Sequence, residues 1–85
     1  MGKIRVVVLR SKEGFFAQCL EYDIGAQGQT EKEAMERLHL AMNAERADLA
    51  VKGKTLASIG PAPEELQALF GVTAISSMEI ERLMA

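Results

Sequence analysis

The sequence predicts an α+β domain, and three stretches carry that prediction. "KIRVVVL" at 3–9 is dense in β-branched residues, "FFAQCLEY" at 15–22 is a second apolar and aromatic run, and "TEKEA" at 30–34 opens a long stretch without glycine or proline. The first two compositions suit a pleated, half-buried surface, whereas the third carries the capping pattern of a helix start. Eighty-five residues cannot divide their apolar side chains between two cores, so residues 1–85 read as one domain.

Each element follows in order. In the first strand Ile4, Val6 and Val8 share one face while Val7 and Leu9 share the other, with Arg5 diluting it. A strand apolar on both faces belongs inside its sheet. "SKEG" at 11–14 makes a hairpin loop, and the second strand runs from Phe15 to about Tyr22. "IGAQGQ" at 24–29 is a third, weaker strand whose two glycines invite a bulge or a close approach by another chain. Thr30 then caps a helix over 31–51: its oxygen accepts an early amide, Glu33 reaches back to the Thr30 amide, and the cap contributes about 1 kcal/mol.

That helix carries two apolar stripes. Ala34, Met35, Leu38, Ala41, Met42 and Leu49 have the spacing that turns one face to a sheet. Leu40, Ala44, Ala47 and Val51 lie nearly opposite and need a second cover, either the C-terminal segment or another subunit. The second stripe is therefore the expected oligomer interface. "GPAPEELQALFG" at 60–71 predicts a helix of about two turns, opened by Pro63 and closed by Gly71. In the last segment Ser76 and Glu79 would cap a helix carrying Ile80, Leu83 and Met84, yet "MEIER" also alternates like a strand. Over residues 77–84 propensity leans to helix.

Composition narrows the function. Ten basic and twelve acidic side chains give a net charge of −2, the wrong sign for a protein that holds nucleic acid mainly through phosphates. The basic cluster Lys3, Arg5, Arg10 and Lys12 lacks interleaved aromatics, so direct nucleic-acid binding is not expected. The apolar run Val6–Leu9 is too short for a signal peptide or membrane span, and one cysteine with one histidine makes neither a disulfide nor a structural zinc site. The expectation is a cytoplasmic protein without membrane contact, cofactor or metal.

Candidate chemistry is sparse. Glu21 and Asp23 flank Tyr22 and would share a strand face, but a magnesium-dependent nuclease needs further converging carboxylates, and the nearest candidate, Glu13, falls in a loop at the other end of the strand. Cys19, mid-strand among apolar neighbours, reads as inert packing, and His39 follows neither helix stripe. Ser76 and Ser77 lack the setting of a nucleophile elbow, and "GAQG" lacks the lysine and glycine spacing of a phosphate loop. No catalytic, cofactor-binding or metal-binding residue is assigned.

The order strand, strand, "FFAQCLEYDIGAQGQT", then "TEKEAMERL" resembles the HicB-like antitoxin family, through Phe15, Phe16, Ala17, Gln18, Glu21, Gly28, Thr30, Glu33, Ala34 and Leu38. The resemblance covers roughly the first half of the chain. It implies a partial ribonuclease-H-like fold: a three-stranded antiparallel sheet with one long helix packed on it, then a short helix and a later strand added to the sheet. That precedent moves "MEIERL" towards a strand. HicB antitoxins bind HicA, a small RNA-cleaving toxin, and block its active site. The resemblance thus implies a non-catalytic module that masks a small RNase; Glu21, Tyr22 and Asp23, where the chain departs from the family pattern, are the expected partner-contact surface. Leu20–Ile24 stand where the family commonly has "PELPGC", and the DNA binding of longer members with a C-terminal domain is not expected here. The alternatives are an orphan homo-oligomeric module, a dimer or tetramer, that binds another protein or a small ligand, and more remotely a metal-dependent nuclease using Glu21 and Asp23.

Overall fold

The computed structural model describes residues 3–71 and 76–81. Four strands form one sheet in the order β3-β2-β1-β4: β1 Lys3–Ser11, β2 Gly14–Cys19, β3 Gly25–Gly28 and β4 Ser76–Glu81. All three pairings are antiparallel. β1 is interior, as its two apolar faces require. β1 and β2 pair from Val6↔Cys19 to Ser11↔Gly14, leaving Lys12 and Glu13 as a two-residue turn. The C-terminal segment resolves as a strand, pairing from Lys3↔Glu81 to Val8↔Ser76, so the family-based expectation outweighs helical propensity over Ser76–Glu81; residues 82–84 of that expectation lie outside the described residues. The β1 ladder satisfies the backbone groups of this segment along its paired edge, which outweighs a weak local propensity.

Helix α1 Glu31–Val51 lies across β3 and β2. Its expected inner stripe is the one that packs. Ala34, Leu38 and Met42 are buried against Ile4, Val6, Val8, Ala17, Cys19 and Ile24, with Met35, Ala41 and Leu49 packed at the margin. Each fully buried Leu or Met contributes about 1.5–3 kcal/mol through removal from water. Thr30 Oγ1 accepts from Glu33 N at 3.0 Å as the cap requires. The reciprocal bond differs from expectation: the Glu33 carboxylate accepts from the Gln29 amide, one residue earlier than Thr30. Gly53, at φ +73°, ends the helix with Lys54 N donating to Leu49 O at 2.9 Å.

The other face of the sheet is covered by the returning chain. A 3-10 turn at Leu56–Ser58, which the sequence did not announce, seats Leu56 in the α1-side core. Residues 60–70 then cross the opposite face, where Val7, Leu20 and Ala62 form a second buried cluster with Leu66 and Phe70 against it. Within it α2 is only Glu64–Gln67, a single turn, extended by the 3-10 bonds Leu69 N to Leu66 O and Phe70 N to Gln67 O. The expected two-turn helix is therefore one α turn followed by hydrogen-bonded turns over 68–70.

Candidate functional site

The second strand stops at Cys19, three residues before its expected end at Tyr22, and the reason lies in what replaces one ladder bond. Leu20 N still donates to Arg5 O at 2.9 Å, continuing the β1 register by one residue. The return bond is not made. Leu20 O instead accepts from Ala62 N at 3.0 Å, and Arg5 N donates to Glu21 Oε1 at 2.7 Å. A side-chain carboxylate takes the position of a main-chain carbonyl, which frees the backbone to bend through 20–24. The bend closes on itself, with Cys19 N donating to Ile24 O at 2.9 Å and Asp23 N donating to Gly60 O at 2.9 Å.

Arg5 joins these pieces. Its Nε donates to Glu21 Oε2 at 2.6 Å, its Nη2 to Gln67 Oε1 at 3.4 Å, and its guanidinium carbon lies 5.8 Å from the centre of the Phe70 ring. Gln67 Nε2 in turn donates to Ala62 O at 2.9 Å. The residue that seemed only to dilute an apolar face thus fastens the 20–24 bend and the 60–70 segment to β1. One guanidinium–carboxylate bond, the Arg5 amide's bond to the same carboxylate, and the guanidinium's contacts with neutral Gln67 and Phe70 make this a charge-assisted knot.

Glu21, Tyr22 and Asp23, the expected contact surface, are placed in three different settings. Glu21 serves Arg5. Tyr22 is half-buried and packs against the α1-side core. Asp23 is exposed, with Oδ1 accepting from the buried Gln18 amide at 3.1 Å, and that amide also donates to Cys19 O at 2.9 Å. The two carboxylates therefore do not share a strand face, because the strand has ended before either is reached. No group of three or more His, Cys, Asp or Glu side chains placed to hold a metal occurs among the described residues.

Cys19 is fully buried, and burial pushes its thiol above the ordinary value of 9.0. An unfolded chain would ionise this thiol near that value while the folded one resists. The thiol's contribution to stability is therefore complete below about pH 9 and declines as pH rises beyond it. Ellman's reagent is expected to leave native Cys19 unlabelled at pH 8 and to react fully once denaturant unfolds the chain; rapid labelling of the native protein would contradict the packing. His39 is half-exposed on the outer flank of α1, away from Cys19, as the sequence suggested. Of the basic cluster, Arg5 is engaged as described and Arg10 lies 5.4 Å from the Phe15 ring.

The second helix stripe is the feature without an internal role. Leu40 is 68% exposed and Val51 87%, and Ala44 and Ala47 between them are exposed as well. Nothing among the described residues covers it; the C-terminal strand joins the sheet at β1 instead. Beside it runs a shallow groove between Ile24 and Gly25 of the sheet edge and Ala41, Ala44, Glu45 and Asp48 of α1. No described helix is long and apolar enough to cross a membrane. Compared with family models, with curated proteins and with solved structures, the chain matches none.

Proposed function

We propose that the chain is a non-catalytic protein-binding module acting as the antitoxin of a HicA/HicB-type pair, neutralising a small basic RNase by masking it. The observation that supports this reading is the chain order itself. Two hairpin strands, a short glycine-bounded strand, a capped helix across them and a later strand paired to β1 follow the architecture that the HicB resemblance implies. The role of Glu21 argues against a joint catalytic use of the carboxylates in the 20–24 bend. A carboxylate holding both the backbone and the guanidinium of Arg5 is occupied by the fold. A net charge of −2 suits a basic partner.

Co-expression with the product of an adjacent small basic reading frame tests the proposal. The expected result is a complex that survives purification and growth restored to cells making that product. If no partner is retained and toxicity is unchanged, the reading fails.

A second reading is an orphan homo-oligomeric module, favoured by the exposure of Leu40 and Val51. It predicts a dimer or tetramer by light scattering, with no toxin neutralised.

A further inference from the structure

The sheet ends at β3, and the register fixes which groups that free edge offers. In β2, Leu20 N donates to Arg5 O, so the even-numbered residues turn their backbone groups to β1 and the odd-numbered ones to β3, as Cys19 N does to Ile24 O at 2.9 Å. Ile24, Ala26 and Gly28 therefore face β2, and Gly25 and Gln27 point their amides and carbonyls out of the sheet. One of these groups is already held. Arg37 Nη1 donates to Gln27 O at 3.2 Å, while its Nη2 lies 3.5 Å from Glu33 Oε2. Arg37 also opens a flank of α1 that runs along this edge: Arg37, Ala41, Glu45 and Asp48, at intervals of four, four and three, share one side of the helix. From Ala41 onward that flank forms one wall of the groove whose other wall is Ile24 and Gly25. A cation thus stands at the Gln27 end, alanines in the middle and carboxylates at the Gly25 end. Asp48 shares a 3.8 Å pair with Lys52, and Glu45 has no ion pair among the described residues.

We infer that the β3 edge pairs with the same edge of a second copy, joining two four-stranded sheets into one. Self-complementarity names this occupant. About a two-fold axis at Ala26, perpendicular to the sheet, Gly25 lies opposite the second copy's Gln27 and Gln27 opposite its Gly25, and each such pair exchanges both of its backbone bonds. The same axis turns the α1 flank end for end, so Arg37 of each copy comes beside the other's Glu45. Two helices so related stand about 10 Å apart, two strand spacings, and the alanines between the charges permit that approach. Arg37 then exchanges Gln27 O for the second copy's Glu45, and the carbonyl it releases accepts the second copy's Gly25 amide. An unrelated extended segment could fill the backbone positions but would have to supply both signs of charge at the right ends; a second copy supplies them by symmetry. In the isolated chain the same guanidinium shields the edge from indiscriminate pairing. This contact uses neither Leu40 nor Val51, and it does not depend on the toxin partner proposed above.

Sedimentation velocity of the full chain over a concentration series is the test, with amide hydrogen exchange as the site-resolved readout. A concentration-dependent dimer is expected, in which the outward Gly25 and Gln27 amides gain protection as the dimer fills. Gln27→Pro removes an outward amide but no bond to β2, and it should raise the dimer dissociation constant by about tenfold or more. Arg37→Glu and Glu45→Arg should each weaken the dimer in the same direction, and the two together should restore it, because the pair re-forms with its signs exchanged. Circular dichroism verifies that each variant is folded; should Gln27→Pro not fold, the charge exchange decides. Leu40→Glu is the control and should leave the dimer unchanged. A wild-type chain that stays monomeric at every concentration overturns the inference. So does a dimer indifferent to a folded Gln27→Pro, or a charge exchange that restores nothing. A dimer that Leu40→Glu dissociates also overturns it, by assigning the contact to the outer helix stripe.

Discussion

Gly28→Ala is expected to destabilise the fold by about 3 kcal/mol, the upper part of the range for overpacking a filled site. A Cβ at this position would stand 2.5 Å from Ala34 N, 2.8 Å from Glu33 C and 2.9 Å from Ala34 Cα. All three are backbone atoms of the first turn of α1, so no side chain can rotate away. Relief requires either β3 or the helix start to move. Moving the helix start would disturb the Thr30 cap and the seat of Ala34 and Leu38 on the sheet. Chemical denaturation of the variant measures the effect, with Gly53→Ala as the comparison. Gly53 has φ +73° but nothing within 4 Å of an added Cβ, so it should cost only the left-handed backbone strain, about 1–2 kcal/mol. If Gly28→Ala costs no more than Gly53→Ala, the close approach of β3 and α1 is not as tight as described.

Glu21→Ala is expected to cost about 2 kcal/mol, because it strands two donors of Arg5 at once. The Arg5 amide would lose its acceptor inside the sheet, and the guanidinium would keep only the 3.4 Å bond to Gln67 and the Phe70 ring. The ion-pair side chains are 36% and 31% exposed, so water partly compensates the charge and holds the loss below that of a fully buried pair. Glu21→Gln should lose less, since an amide oxygen can still accept from the Arg5 amide. The distinguishing measurement is hydrogen exchange. Loosening the knot should speed exchange at the Asp23 and Ala62 amides, which donate to Gly60 and Leu20, while the Leu38 amide within α1 stays protected. Uniform acceleration across both segments would mean that the knot contributes only to global stability.

Much of the fold was legible because its signals are local. The β-branched run of 3–9, the capping pair Thr30 and Glu33, and the absence of breakers to Val51 mark a strand and a helix whose bounds the structure repeats for α1. The glycines of 24–29 suggested a bulge or an approach by another chain, whereas what stands against Gly28 is the start of the chain's own helix. The end of β2 was not legible. "FFAQCLEY" keeps strand composition through Tyr22, and nothing near Glu21 in sequence announces that its carboxylate will displace a ladder bond of a residue sixteen positions away. The same distance hid the site reading. Adjacent carboxylates suggest joint chemistry in a sequence, whereas their partners, Arg5 and Gln18, send them to separate tasks.

By itself, then, the sequence determined the class of fold, the interior position of β1, the length and inner face of α1, and the existence of a second apolar stripe. Each depends on periodicity or on a cap, which are properties of a few consecutive turns or strand residues. The tertiary structure alone decided whether the final segment was strand or helix, because an acceptor ladder from β1 outweighs propensity. It also decided that Arg5 fastens the 60–70 segment across the sheet and that Leu40 and Val51 remain uncovered beside Glu45 and Asp48. Those outcomes depend on which remote groups arrive within a hydrogen bond of one another, and that is set by packing, not by neighbouring residues.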